Sequence, residues 1–182
     1  MTYYLNENRI GGLPIAAIDT GVPYVLPGGA AAVRPKSPTM LGSIVRAVDT
    51  DLGEGEFICL KGVAGTVIGS CVVWDATFAT TLAAAAAATS GARPVAFAMA
   101  ANVSPNTFGW YQISGNAIAA KDTGAAVNPN SPIAIASAGA VGPSAAGLEI
   151  EGARSTNGST VLAATPTLPI FVSRPTVQGR IT

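Results

Sequence analysis

Glycine and proline interrupt this chain so often that little room is left for helix. The 182 residues include 21 glycines and 13 prolines. Proline fixes φ and removes a backbone donor, while glycine inside a helix costs about 1 kcal/mol relative to alanine. The breaks are densest in residues 1–40, where Gly11, Gly12, Pro14, Gly21, Pro23, Pro27, Gly28, Gly29, Pro35 and Pro38 leave space only for polyproline-like and short β pieces. Leu13, Ile15, Ile18, Val22, Tyr24 and Leu26 sit between those breaks. That is more apolar surface than an idle linker carries, so the segment reads as an extended arm seeking a groove.

From Leu41 the texture changes to short runs rich in Val, Ile, Phe and Trp, bounded by Gly, Pro or Asp. LGSIVRAVD alternates at period two, with Ile44, Arg46 and Val48 on one face and Val45 and Ala47 on the other. The runs EFICLKGV, TVIGSCVVWD, PVAFAMAANV, WYQISGNAIAA, PIAIASAGAV, LEIEGARS, VLAAT and LPIFVSRP follow. Together they predict about nine strands, hence a mostly β sandwich or barrel-like body over 41–177, with a short tail at 178–182. TLAAAAAATSGA is the one competitor for helix, since alanine has the best propensity. It is short and offers little to pack, so a single helical turn or a loop is expected.

Hydrophobic residues make up 49% of the chain and charged residues 11%, enough for a core but few to keep the outside wet. Part of the surface is therefore expected to meet partners. Ten Lys plus Arg balance ten Asp plus Glu, which provides no positive field for phosphate, so nucleic acid is not expected as a partner. No apolar run reaches the roughly 18–20 residues that span a bilayer, and MTYYLNENRI lacks a basic segment followed by an apolar one. The expectation is a soluble, unexported product that does not enter a membrane.

The chain has no histidine, which removes the commonest general base and the usual Ser-His and Cys-His nucleophiles. The carboxylates Asp49, Asp51, Glu54 and Glu56 in VDTDLGEGEF could hold a hard cation or supply an acid and base pair. Their spacing does not match a calcium loop, and Asp with Gly is what a turn between strands requires. Neither GGAAAV nor GVAGTVIG has the phosphate-cradling pattern. No catalytic residue, metal or cofactor is expected. Trp110 and Tyr111, in GWYQISG, are neighbours on a strand and must point to opposite faces. One ring is expected in the core and the other at its margin or at an interface; a sugar platform using either ring, or Trp74, is the alternative. Cys59 and Cys71 would face each other if residues 56–61 and 70–74 formed a hairpin around Gly65, although two buried thiols is the simpler expectation.

The succession LGSIVRAVD, GEGEFICLKGV, GSCVVWD, PVAFAMAANV, GWYQISG and LPIFVSRPTV, covering residues 41–177, resembles the capsid decoration, or cement, proteins of tailed bacteriophages. The sequence departs from that group at Cys59, where the group is typically aromatic, and in the alanine stretch. The resemblance implies a non-enzymatic structural protein, made in the bacterial cytoplasm and added to the exterior of the phage head. There it would bridge major capsid protein subunits as a homotrimer, or as a dimer. The interface residues expected are Leu13, Ile15, Ile18, Val22, Tyr24, Leu26, Trp110 and Tyr111. A virion carbohydrate-binding or host-adhesion module is the alternative.

Overall fold

A computed structural model describes residues 3–5, 22–25, 31–34, 41–86 and 91–178. The strands are β1 (Tyr3–Leu5), β2 (Val22–Val25), β3 (Ala31–Arg34), β4 (Ile44–Asp49), β5 (Gly53–Lys61), β6 (Cys71–Trp74), β7 (Thr80–Leu82), β8 (Val95–Ala98), β9 (Phe108–Ala120), β10 (Pro132–Ser137), β11 (Ala140–Pro143), β12 (Glu149–Ser155) and β13 (Thr167–Val177). The protein is mostly β, and its main antiparallel sheet curls into a half-barrel. Residues 85 and 86, within the alanine run that begins at Ala83, are helical.

Among the described residues, eleven strands share one sheet, with the path β1-β4-β5-β9-β13-β12-β10-β11 and the branch β8-β6-β7 leaving from β9. The strands β2 and β3 pair separately. The long strand β9 organises the rest. Tyr111 pairs with Ile58 of β5 and with Ala98 of β8, so those two strands flank β9 on opposite edges. Further along, Ser114 pairs with Glu56 on one side and Ser173 of β13 on the other. The switch from β8 to β13 falls beside Gly115, whose φ of +98° is open to glycine and strained for other residues.

Two interiors result. In the first, the Lys61 amide donates to Phe78 O at 3.1 Å and the Thr80 hydroxyl to Lys61 O at 2.8 Å, so the branch β9-β8-β6-β7 curls back to β5. Tyr111, Leu60, Val72, Ala96 and Ala98 fill that ring. In the second, β11 returns to the end of β9 through the Lys121–Val141 bridge and the Asp122 amide bond to Val141 O. Val95, Phe97, Ile133, Ile135, Leu168 and Ile170 are among the side chains that fill it. Strands β6 and β8 form the wall between the two, because their alternate residues point into each: Cys71, Val73, Val95 and Phe97 one way, Val72, Ala96 and Ala98 the other. Burying each large aliphatic side chain here contributes roughly 1.5–3 kcal/mol.

The expected strands need four corrections. PIAIASAGAV is two strands, β10 and β11, that turn at Gly139. VLAAT is not a strand; only Val161 bridges, to Val127. In TVIGSCVVWD the extended part begins at Cys71, because residues 66–70 form a turn in which the Ser70 hydroxyl accepts from the Val67 amide. The hairpin drawn around Gly65 does not form: β5 pairs with β4 and β9, and β6 with β7 and β8. Cys59 and Cys71 therefore belong to different clusters and are not bonded to each other. Burial pushes the Cys71 thiol up to about 12, which leaves it protonated and unreactive at neutral pH.

Candidate interaction surfaces

The carboxylates resolve into separate roles. The Asp49 Oδ1 accepts from the Asp51 and Leu52 amides, both at 2.9 Å, and shapes the turn from β4 to β5. Register sets Asp49 opposite Gly53 and Arg46 opposite Glu56, so Asp49 and Glu56 project from opposite faces of the sheet. They cannot act together as an acid and base pair. Glu56 instead pairs with Arg46 at 3.2 Å and with Arg174 of β13 at 3.0 Å. Both arginines are well exposed, so these pairs contribute at most about 1 kcal/mol each. No group of three or more metal-ligating side chains occurs among the described residues.

Trp110 and Tyr111 do point to opposite faces of β9, as neighbours on a strand must. Both rings are buried within this chain, Trp110 at 5% exposure and Tyr111 at 0%. Neither ring therefore presents an open face on the chain by itself. The Trp74 ring is itself half-buried against Tyr111 and its neighbours. The Tyr111 hydroxyl donates to the Asn102 side-chain oxygen at 3.1 Å, which also receives the Gly62 and Gly109 amides at 3.2 Å, while the Asn102 amide nitrogen donates to Thr107. The network ties residues 99–107 to the start of the turn after β5.

Of the expected arm residues, Leu13, Ile15, Ile18 and Leu26 lie outside the described residues. Val22 and Tyr24 stand on β2, opposite Arg34 and Ala32. The arm's other described piece, β1, adds antiparallel to β4, pairing Tyr3 with Asp49, Tyr4 with Val48 and Leu5 with Ala47. Among the described residues, β1 is the end of the sheet.

Three features escaped sequence reasoning. Val67 and Ile68, 55% and 61% exposed, crown the turn after β5. Val103, 53% exposed, lies on the neighbouring loop, held alongside by the Val63 amide bond to Asn102 O at 2.9 Å. A second apolar face belongs to β4, β5 and β9, where Phe57, Cys59, Met99, Trp110 and Ala47 cluster. The signal for it was the unbroken run FICL, apolar on both faces, which demands cover on two sides. The third is Lys121, buried at the end of β9, whose ammonium donates to the carbonyls of Asp122 at 2.8 Å and Ala163 at 3.0 Å. Replacing Lys121 with alanine strands both carbonyls and is expected to lower stability by about 1–3 kcal/mol in urea unfolding; an unchanged midpoint would show that water takes over both bonds.

No family model, curated protein or solved structure matches this chain.

Proposed function

We propose that this protein is a structural capsid decoration protein that binds the outside of a tailed-phage head, bridges major capsid protein subunits and stabilises the expanded shell. The observation that carries the reading is strand addition: the N-terminal segment lays β1 along the edge of β4 through backbone pairing, a contact mode that transfers readily between chains. The low share of charged residues and the exposed Val67, Ile68 and Val103 support a body that works among protein neighbours. The resemblance of residues 41–177 to decoration proteins points the same way. As a homotrimer or dimer the protein sums weak contacts, and linked sites raise apparent affinity by about 10²–10⁴ without any single strong one. Preference for the expanded shell stabilises it by the difference in affinity between the two shell states.

The test is loading. Expanded and unexpanded heads are mixed with the full chain and with a variant lacking residues 1–38, then pelleted and stained. The full chain is expected to co-sediment with expanded heads and the shortened one to stay in solution. Full-strength loading of the shortened protein, or none by the full chain, overturns the proposal.

A further inference from the structure

Three arginines and an exposed ring share one open face of the main sheet. Register sets Arg46, Glu56, Ser114 and Ser173 side by side across β4, β5, β9 and β13. It sets Asn116, Phe171 and Arg154 side by side across β9, β13 and β12. Directly opposed residues project to the same side, and so do residues two apart along a strand, so both rows belong to one face. Ile170 and Val172, which alternate with Phe171 and Ser173, fill the second interior, and the face is its exterior. Phe171 is 37% exposed there, with the Arg154 guanidinium 5.7 Å from the ring centroid. Arg174 does not belong on this face by alternation, which from Val172 would aim it into the second interior. Instead β13 bulges: Ser173, Arg174 and Pro175 lie opposite the single residue Gly152, and Arg174 takes a φ of +45°. A bulge re-aims a side chain. Here it sends the guanidinium across β9 to Glu56, where Nε and Nη2 donate to Oε2 at 3.2 and 3.0 Å. From the other side Arg46 Nε donates to Oε1 at 3.2 Å. The Glu56 side chain is thus 16% exposed between two arginine side chains that stay 63% and 65% exposed. A left-handed backbone at a non-glycine residue costs more than an exposed ion pair returns. The stability of this chain alone does not account for the arrangement, and strain of this kind gathers at binding sites.

We propose that this face is a docking surface for an acidic segment of a protein partner, whose carboxylates are held by the outward N–H groups of Arg46 and Arg174, with Phe171 and Arg154 as the adjoining anchor. A guanidinium carries its N–H donors in a planar fork that matches a carboxylate. Glu56 engages one side of each fork, fixes both in place and leaves their remaining donors facing solvent. Arginine and aromatic side chains are also the types that contribute most where proteins meet. The surrounding charges decide against nucleic acid. Glu54 stands two residues from Glu56 on β5, and Glu151 faces Thr176 on β12, so carboxylates flank the arginines on both sides. They repel an extended phosphate backbone, whereas a short acidic segment meets the central row alone. The zero net charge of the chain adds no general attraction for polyanions. The inference is independent of the proposed function and of the β4 edge.

Fluorescence anisotropy of a labelled oligo-glutamate peptide, titrated with the full chain, tests this. The parent protein is expected to bind the peptide at low salt and to release it as salt rises. Arg46→Gln combined with Arg174→Gln should weaken binding by about tenfold or more. Both side chains are exposed, so the double variant should still unfold cooperatively in urea. The control removes two positive charges that lie off these rows, Lys61→Gln combined with Arg93→Gln, and should bind the peptide as the parent does. Equal losses in the two double variants would reduce the effect to net charge and overturn the proposal. Tighter binding of an oligothymidine of equal charge would overturn it in favour of a phosphate ligand, and no binding of the peptide by the parent would overturn it outright.

Discussion

Replacing Tyr111 by alanine is expected to lower the unfolding free energy by about 4 kcal/mol or more in urea titration, close to the whole stability of many domains. The ring is fully buried at the centre of the first interior, against Ile58, Leu60, Val72, Ala96 and Ala98. Those neighbours sit on strands locked by β9 pairing on both edges, so the cavity cannot collapse cheaply. The variant also takes the hydroxyl donor from the buried Asn102. Tyr111→Phe separates the two contributions: it keeps the ring and should lose only about 1–2 kcal/mol. A cost for alanine no larger than for phenylalanine would mean that the ring packing carries nothing.

The same hydroxyl has an alkaline signature. Burial raises the Tyr111 hydroxyl from 10.0 to about 12. A group whose folded value lies above its unfolded one contributes stability below the unfolded value and loses it as pH rises through the folded one. The contribution is therefore intact below pH 10 and fades between pH 10 and about 12. Cys71 adds a similar loss between 9.0 and about 12. In Tyr111→Phe the alkaline decline should be shallower, with the share due to Cys71 still present.

Gly115→Ala is the second large effect, expected at about 3 kcal/mol. A methyl group there would run into the carbonyl oxygen of Glu54, and it would lie 3.0 Å from the Gly55 α-carbon. Backbone cannot step aside as a side chain can, because β5 is held in register by β4. The positive φ adds strain of about 1–3 kcal/mol. Gly53→Ala is the control: its φ is +81° but nothing lies within 4 Å of the added methyl. It should cost about 1–2 kcal/mol, the conformational part alone. Equal losses at the two positions would mean that the approach of β5 to β9 is not tight.

Much of the body was legible in local pattern. Ile44 to Asp49 alternates and forms β4, Val95 to Ala98 is buried on both faces as its apolar run required, and the opposition of Trp110 to Tyr111 follows from their being neighbours. Pairing was not legible where a strand's partner is distant. Cys71–Trp74 was matched to the preceding apolar run because that run is near in sequence, but the intervening turn swings β6 away to β8. Strand β7 went unread because Thr80 to Leu82 is too short to show a period. The pairing of Tyr3–Leu5 with β4 was likewise not legible. The burial of both rings also depended on β5 and β8 coming to flank β9, which local pattern does not show.

Local chemistry in the chain determined the extended segments, the breaks between them and the lack of a histidine-based catalyst, since each depends on a residue and its immediate neighbours. Only the tertiary structure decided which strands flank β9, that Asp49 and Glu56 face apart, and that an apolar face lies outside the first ring. Register and curl bring together residues separated by dozens of positions, and hydrophobic burial is non-directional, so apolar patterning alone does not select one partner strand over another.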